Sequence, residues 1–175
     1  MNVSKINPYD KDLTNVLIET PKCSQNKYAY DPDRDVFCLK KTLPLGMMFP
    51  FDFGFIPGTK GEDGDPLDVL VILEGPVYPG CIIPCRLLGV LEARQQEKGE
   101  KAIRNDRLVA VADCSVIYRS VTKIKELSES MVAEIERFFI DYNKAEGRVF
   151  KPLRWAGIKA AEKIIAKGTV GNNPK

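Results

Sequence analysis

Through the first two-thirds of the chain, apolar residues come in short runs broken by Pro and Gly. "NVLIET", "KYAYD", "VFCLKK", "LDVLVIL", "CIIPCRLLGVLEAR" and "DRLVAVADC" each read as a strand. The run "MMFPFDFGFIPGT" sets Phe49, Phe51, Phe53 and Phe55 at strict alternation, which predicts a core-facing strand that can also wall a pocket. Helical periodicity arrives late. In "SESMVAEIERFFIDYNKAEG" Val132, Ile135, Phe138, Phe139 and Tyr142 share one face, with Ser128 as N-cap, Leu127 and Val132 as a hydrophobic staple, and Gly147 as the stop. A second helix is predicted over "WAGIKAAEKIIAKG", with Trp155, Ile158, Ala161 and Ile165 on one face and its end at Gly168. Strands first and helices last predict an α+β fold: a strand-rich barrel or curled sheet with helices packed outside.

The chain has 175 residues and is expected to form a single domain spanning 1–175, since one domain takes roughly 150 residues. Lys plus Arg number 26 against 24 Asp plus Glu, a formal charge of +2. That balance argues against a nucleic-acid binder working by broad attraction. "MNVSKINPYDKDLTN" has no signal-peptide core, and no stretch nears the roughly 18 apolar residues of a membrane span, so a cytoplasmic protein without membrane contact is expected. The five cysteines are scattered and read as reduced thiols. Cys81 and Cys85 have no second ligand pair, and the chain has no histidine, so zinc is not expected. The lack of imidazole also excludes Ser-His-Asp and Cys-His nucleophilic machinery.

The chemistry must then come from carboxylates, basic side chains, tyrosines or a metal, and "EDGDPLDVLVIL" supplies the first of these. It crowds Glu62, Asp63, Asp65 and Asp68 into seven residues at the mouth of a buried strand. Carboxylates this close raise one another's pKa or call for a cation between them. Gly64 lets the chain bend between Asp63 and Asp65, and Pro66 stiffens it. A solvated Asp-Gly turn is the plainer explanation of D-G-D alone. A calcium loop fails because, counted from Asp63, the sixth position is Asp68 where glycine is needed. Hard oxygen ligands suit Mg²⁺ or Mn²⁺, ions that serve phosphate chemistry. Among the basic residues that could face phosphate, Lys27 and Lys41 stand out because each abuts aromatic or apolar strand residues. Tyr142 could be core or a hydroxyl donor to phosphate.

In order along the chain, "LIETP", "NKYAYD", "LPLGMMFPFDFGFIPGT", "EDGDPLDVLVIL", "PGCIIPCRLLGVL", "RNDRLVAV" and "FFIDYNK" resemble the soluble family I inorganic pyrophosphatases, over most of residues 15 to 155. The resemblance implies an OB-like five-stranded β-barrel with C-terminal helices packed outside, and Mg²⁺-dependent hydrolysis of pyrophosphate by a metal-activated water. It further implies a homo-oligomer. By the family pattern Asp63 and Asp68 ligate metal, Glu19 holds an outer ion, and Asp65 accepts the proton of the attacking water. Lys27, Lys41, Arg107 and Tyr142 bind phosphoryl oxygens.

The departures fall on site positions and mark a divergent member. Ala29 stands where the family has glutamate, Lys41 replaces an arginine, Phe53 a tyrosine, and Asn143 a lysine. Two further metal-ligating aspartates of the family fall on Gln95 and Asn105, leaving Asn105 as the metal-facing position. Glu97, Glu100 or Asp106 could complete the ligand set if the loop is reshaped, although strand alternation turns Asp106 away. The alternatives are a pyrophosphate- or phosphate-binding protein without turnover, and a hydrolase of another diphosphate.

Overall fold

Five strands close into a ring. In the computed structural model, which describes residue 3 and residues 6–170, the elements are β1 (Tyr9–Asp10), β2 (Leu13–Thr20), β3 (Asn26–Asp31), β4 (Val36–Thr42), β5 (Asp52–Phe55), β6 (Asp68–Ile72), β7 (Ile82–Gln96), β8 (Ile103–Arg104), β9 (Arg107–Ala112), α1 (Glu129–Ala145), β10 (Val149–Gly157) and α2 (Ile158–Gly168). The ring runs β2, β5, β6, β9, β7, and the pairing of β7 back onto β2, from Thr14 opposite Cys85 to Leu17 opposite Ile82, closes it. All of its pairings are antiparallel except β6 with β9. The expected five-stranded barrel is present, with β10 added outside against β7 and β3–β4 standing off as a separate hairpin.

β7 serves four neighbours, β2, β8, β9 and β10, because it is 15 residues long and bends at Gly89, where its register with β9 shifts. Any Cβ at Gly89 would lie 2.3 Å from the Ala156 carbonyl oxygen, so only glycine lets β10 approach. The near-continuous apolar runs of β6 and β9 are explained by burial on both faces. Leu70, Ile72, Val109 and Val111 pack with α1, through Ile135, Phe138 and Phe139, while Val69, Val71, Leu108 and Ala110 pack with α2, through Ala161 and Ile165.

α1 forms as its periodicity predicts. Ser128 caps it, its hydroxyl accepting from the Met131 amide, and Gly147 follows at φ +73. The second helix begins later than expected: Val149–Gly157 is strand β10, and Trp155 lies opposite Leu91 with its indole N–H on Glu136. Tertiary pairing overrides the helical look of "WAG" here. Pro152, which cannot donate to a ladder, is tolerated at a register shift between Pro152 and Arg154. The aromatic run is strand only from Asp52 onward, so Phe49 and Phe51 enter the core from irregular chain. No described helix is long and apolar enough to cross a membrane.

Candidate active site

One cleft of about 1170 Å³ is lined by Glu19, Lys27, Lys41, Asp63, Asp65, Asp68, Asn105, Arg107 and Tyr142, so every residue given a metal, base or phosphate role reaches it, whereas Glu62 of the acidic cluster turns to Lys167 outside it. The acidic turn forms one wall. Gly64 takes φ +91, a left-handed conformation that a side chain would strain, and the Gly61 amide donates to the Asp65 carbonyl at 2.7 Å. Asp63 Oδ1 accepts the Asp65 amide at 3.2 Å. Behind the turn, Thr59 Oγ1 accepts the Leu67 amide and the Lys60 amide donates to the Gly168 carbonyl, so the end of α2 braces it.

Glu19 is aimed by an irregularity. The register between β2 and β5 shifts between Ile18 and Thr20, as at a bulge, and such a break re-aims the residue within it. Its Oε1 accepts the Tyr30 amide at 2.7 Å, and the side chain is buried. Burial, first of all, raises its carboxyl to about 7; Asp68 and Asp65 push the same way, and Lys27 and the Tyr30 amide oppose them. Asp63 stands open to solvent on one side, yet its carboxyl is also raised, first by the protein packed behind it and then by Asp68.

Lys27 and Lys41 lie directly opposite one another across the β3–β4 hairpin, a like-charge pairing that is unfavourable in itself. Each is propped on an aromatic face: Lys27 Nζ lies 4.5 Å from the Phe53 ring centre, and Lys41 Nζ lies 4.5 Å from that of Tyr142. Lys41 also pairs with Glu146 at 2.5 Å. Phe53, lacking a hydroxyl, therefore contributes a cation-supporting face.

The far wall is built differently. Arg107, at the start of β9, is 5% exposed and lies above the rings of Phe139 and Phe150 at 5.2 and 5.6 Å. Its Nη1 pairs with Asp68 Oδ2 at 2.6 Å and also donates to the Asn105 side-chain oxygen. Asn105 Nδ2 in turn donates to Gln95 Oε1 at 3.1 Å. The result is a chain Gln95–Asn105–Arg107–Asp68. Asp106 is turned away as alternation expects, its Oδ1 accepting from the Ala93 amide and from Arg104. Glu97 is paired with Arg148 at 2.7 Å, and Glu100 is exposed at the rim.

The pattern of the sequence did not disclose the brace behind this wall, in which the buried Glu92 takes the exposed Arg154 in a bidentate pair and Arg104 at 3.0 Å. The charges of Glu92 and Arg104 were visible, but their meeting depends on the β7–β10 register.

The turn brings its aspartates to one cleft but not to one point. Among the described residues no group of three carboxylates or thiols forms a ready-made metal cage. The donors nonetheless fit a hard divalent ion at the acidic turn: they are all oxygen, and Glu19 and Asp63 carry raised carboxyls whose ionisation a cation would favour. The far wall, of neutral amides and a guanidinium, does not offer that.

The sequence profile of the inorganic pyrophosphatases matches residues 16–170. An inorganic pyrophosphatase of Synechocystis sp. is 37% identical over 166 residues, covering 94% of this chain and 95% of its own. One from Halalkalibacterium halodurans is 38% identical, covering 85% of this chain and 88% of its own. The crystal structure of the inorganic pyrophosphatase of Thermus thermophilus superposes with a TM-score of 0.87 at 30% identity, covering 97% of each chain.

Proposed function

The chain belongs to the inorganic pyrophosphatase family and hydrolyses pyrophosphate to two phosphates, and we propose that it does so with Mg²⁺ at the acidic turn and Asp65 as the base. Asp63, Asp68 and Glu19 would hold the ion, with Mn²⁺ as a substitute. Such an ion supplies Lewis acidity and lowers the pKa of a water. The Asp65 carboxylate, whose backbone is fixed by its bonds to Gly61 and Asp63, takes the proton of the attacking water. Lys27 and Lys41 neutralise phosphoryl oxygens from the hairpin. Arg107 and the Tyr142 hydroxyl donate to the same substrate. Asn105 would reach an ion only by releasing Arg107.

The observation that carries this reading is the pair of opposed lysines in one cleft with four carboxylates, Glu19, Asp63, Asp65 and Asp68. Glu146 offsets the charge of Lys41, and an anion received between the two lysines would offset both. The relatives favour turnover over a binding-only protein. The free thiols among the described residues support a reducing, cytoplasmic setting, and a homo-oligomer accords with the family. Phosphate release from pyrophosphate and Mg²⁺ tests the assignment: Asp65→Asn should lower the rate at least about 100-fold. Equal rates for the two proteins would remove Asp65 from the role of base.

A further inference from the structure

We propose that Arg107, locked in the chain Gln95–Asn105–Arg107–Asp68, is a built-in cation that takes the place of a second divalent ion, so that this protein works with one divalent ion per chain. The inference rests on the preceding assignment of an ion to the acidic turn.

Paired divalent ions on a phosphate substrate sit roughly 3.5–4 Å apart and need further anionic oxygens to hold the second. Asp68, at the boundary between the two walls, would have to bridge them, and its Oδ2 is engaged by Arg107 Nη1 at 2.6 Å. Beyond it the wall offers Asn105, whose oxygen accepts from Arg107, and Gln95, whose oxygen accepts from Asn105. Neither carries charge, and affinity for hard cations follows ligand charge. Nearby carboxylates do not supply the lack. Asp106 is held by Arg104 and the Ala93 amide, Glu97 by Arg148, and Glu100 stands at the exposed rim.

The guanidinium itself repels a second cation, and it has little freedom to withdraw. It is buried over Phe139 and Phe150, and its backbone is fixed by pairing opposite Leu91. A guanidinium is charged at every accessible pH and presents a planar fork suited to phosphoryl oxygens. It thus supplies permanently, at this wall, the charge compensation that an exchangeable ion would supply.

Calorimetric titration of the whole protein with Mn²⁺ alone tests this without reference to turnover. The expected result is one ion per chain, lost in Asp63→Asn, with a second appearing when Gln95→Asp and Asn105→Asp are combined. The wild-type count decides the matter even if the double variant fails to fold. Two or more ions per chain, of which Asp63→Asn removes at least one, would overturn the single-ion inference and leave the assignment of the turn standing. No ion bound would overturn both.

Discussion

The two walls of the cleft handle charge in opposite ways. On the acidic turn, Asp63 and Asp65 are exposed, joined mainly through backbone bonds, and held apart by their own repulsion. On the Arg107 wall the side chains of Gln95, Asn105, Arg107 and Asp68 are linked in one chain, the guanidinium is buried with its Nε unpartnered, and aromatic rings lie beneath it. One wall is arranged to take up a cation and the other to be one. Preorganised charge needs no reorganisation during reaction, whereas the turn must be drawn together by its ion.

The rigid wall should be the more costly to disturb. Phe139 is 1% exposed and supports Arg107, so Phe139→Ala should lose about 3–5 kcal/mol of unfolding free energy by denaturant titration. A loss under about 1 kcal/mol would show that the wall is not built on that ring. On the acidic side, Asp63→Asn should leave stability nearly unchanged while lowering phosphate release roughly 100-fold, a drop in the range that loss of a metal-site group produces. A variant within twofold of the wild type would place the ion elsewhere.

Smaller effects sharpen the contrast. Lys41→Met should raise KM about tenfold with little change in kcat, the signature of lost uniform binding; an unchanged KM would mean that Lys41 serves only Glu146. Asp52, away from the cleft, is a control. It is fully buried, accepts the Lys22 and Val77 amides through Oδ1, and leaves Oδ2 without a partner. Burial raises its pKa in the folded state above the unfolded value, so the folded protein holds the extra proton. Its stabilising contribution is present below the unfolded pKa and is lost as pH rises through the raised value. Asp52→Asn should therefore melt a few degrees higher than wild type at pH 8 and equally at pH 3, and the same difference at both values would contradict the burial argument.

Much of this was legible in the sequence because local chemistry and tertiary context agreed. The α1 stripe, its Ser128 cap, the β6 and β9 runs and the DGDPLD turn each carry their own signal. Strand β10 did not, because "VFKPLRWAG" has no clean alternation and Val149 as its one β-branched residue, and its pairing comes from β7. The residue types of the site were readable, but their engagement was not. That Asp68 leans on Arg107, and Lys41 on Glu146, depends on which strands meet. Gln95 and Asn105 could be named from spacing, but the hydrogen bond between them arises only when β8 and the residues after it fold back beside the end of β7.

Crystals grown with Mn²⁺ and phosphate would test the assignment of the turn most directly. An anomalous peak at roughly 2.0–2.3 Å from carboxylate oxygens of Asp63 and Asp68, with phosphate beside Lys27, is the expected outcome. A turn with no peak, its aspartates splayed into water while phosphate still binds the lysines, would contradict it.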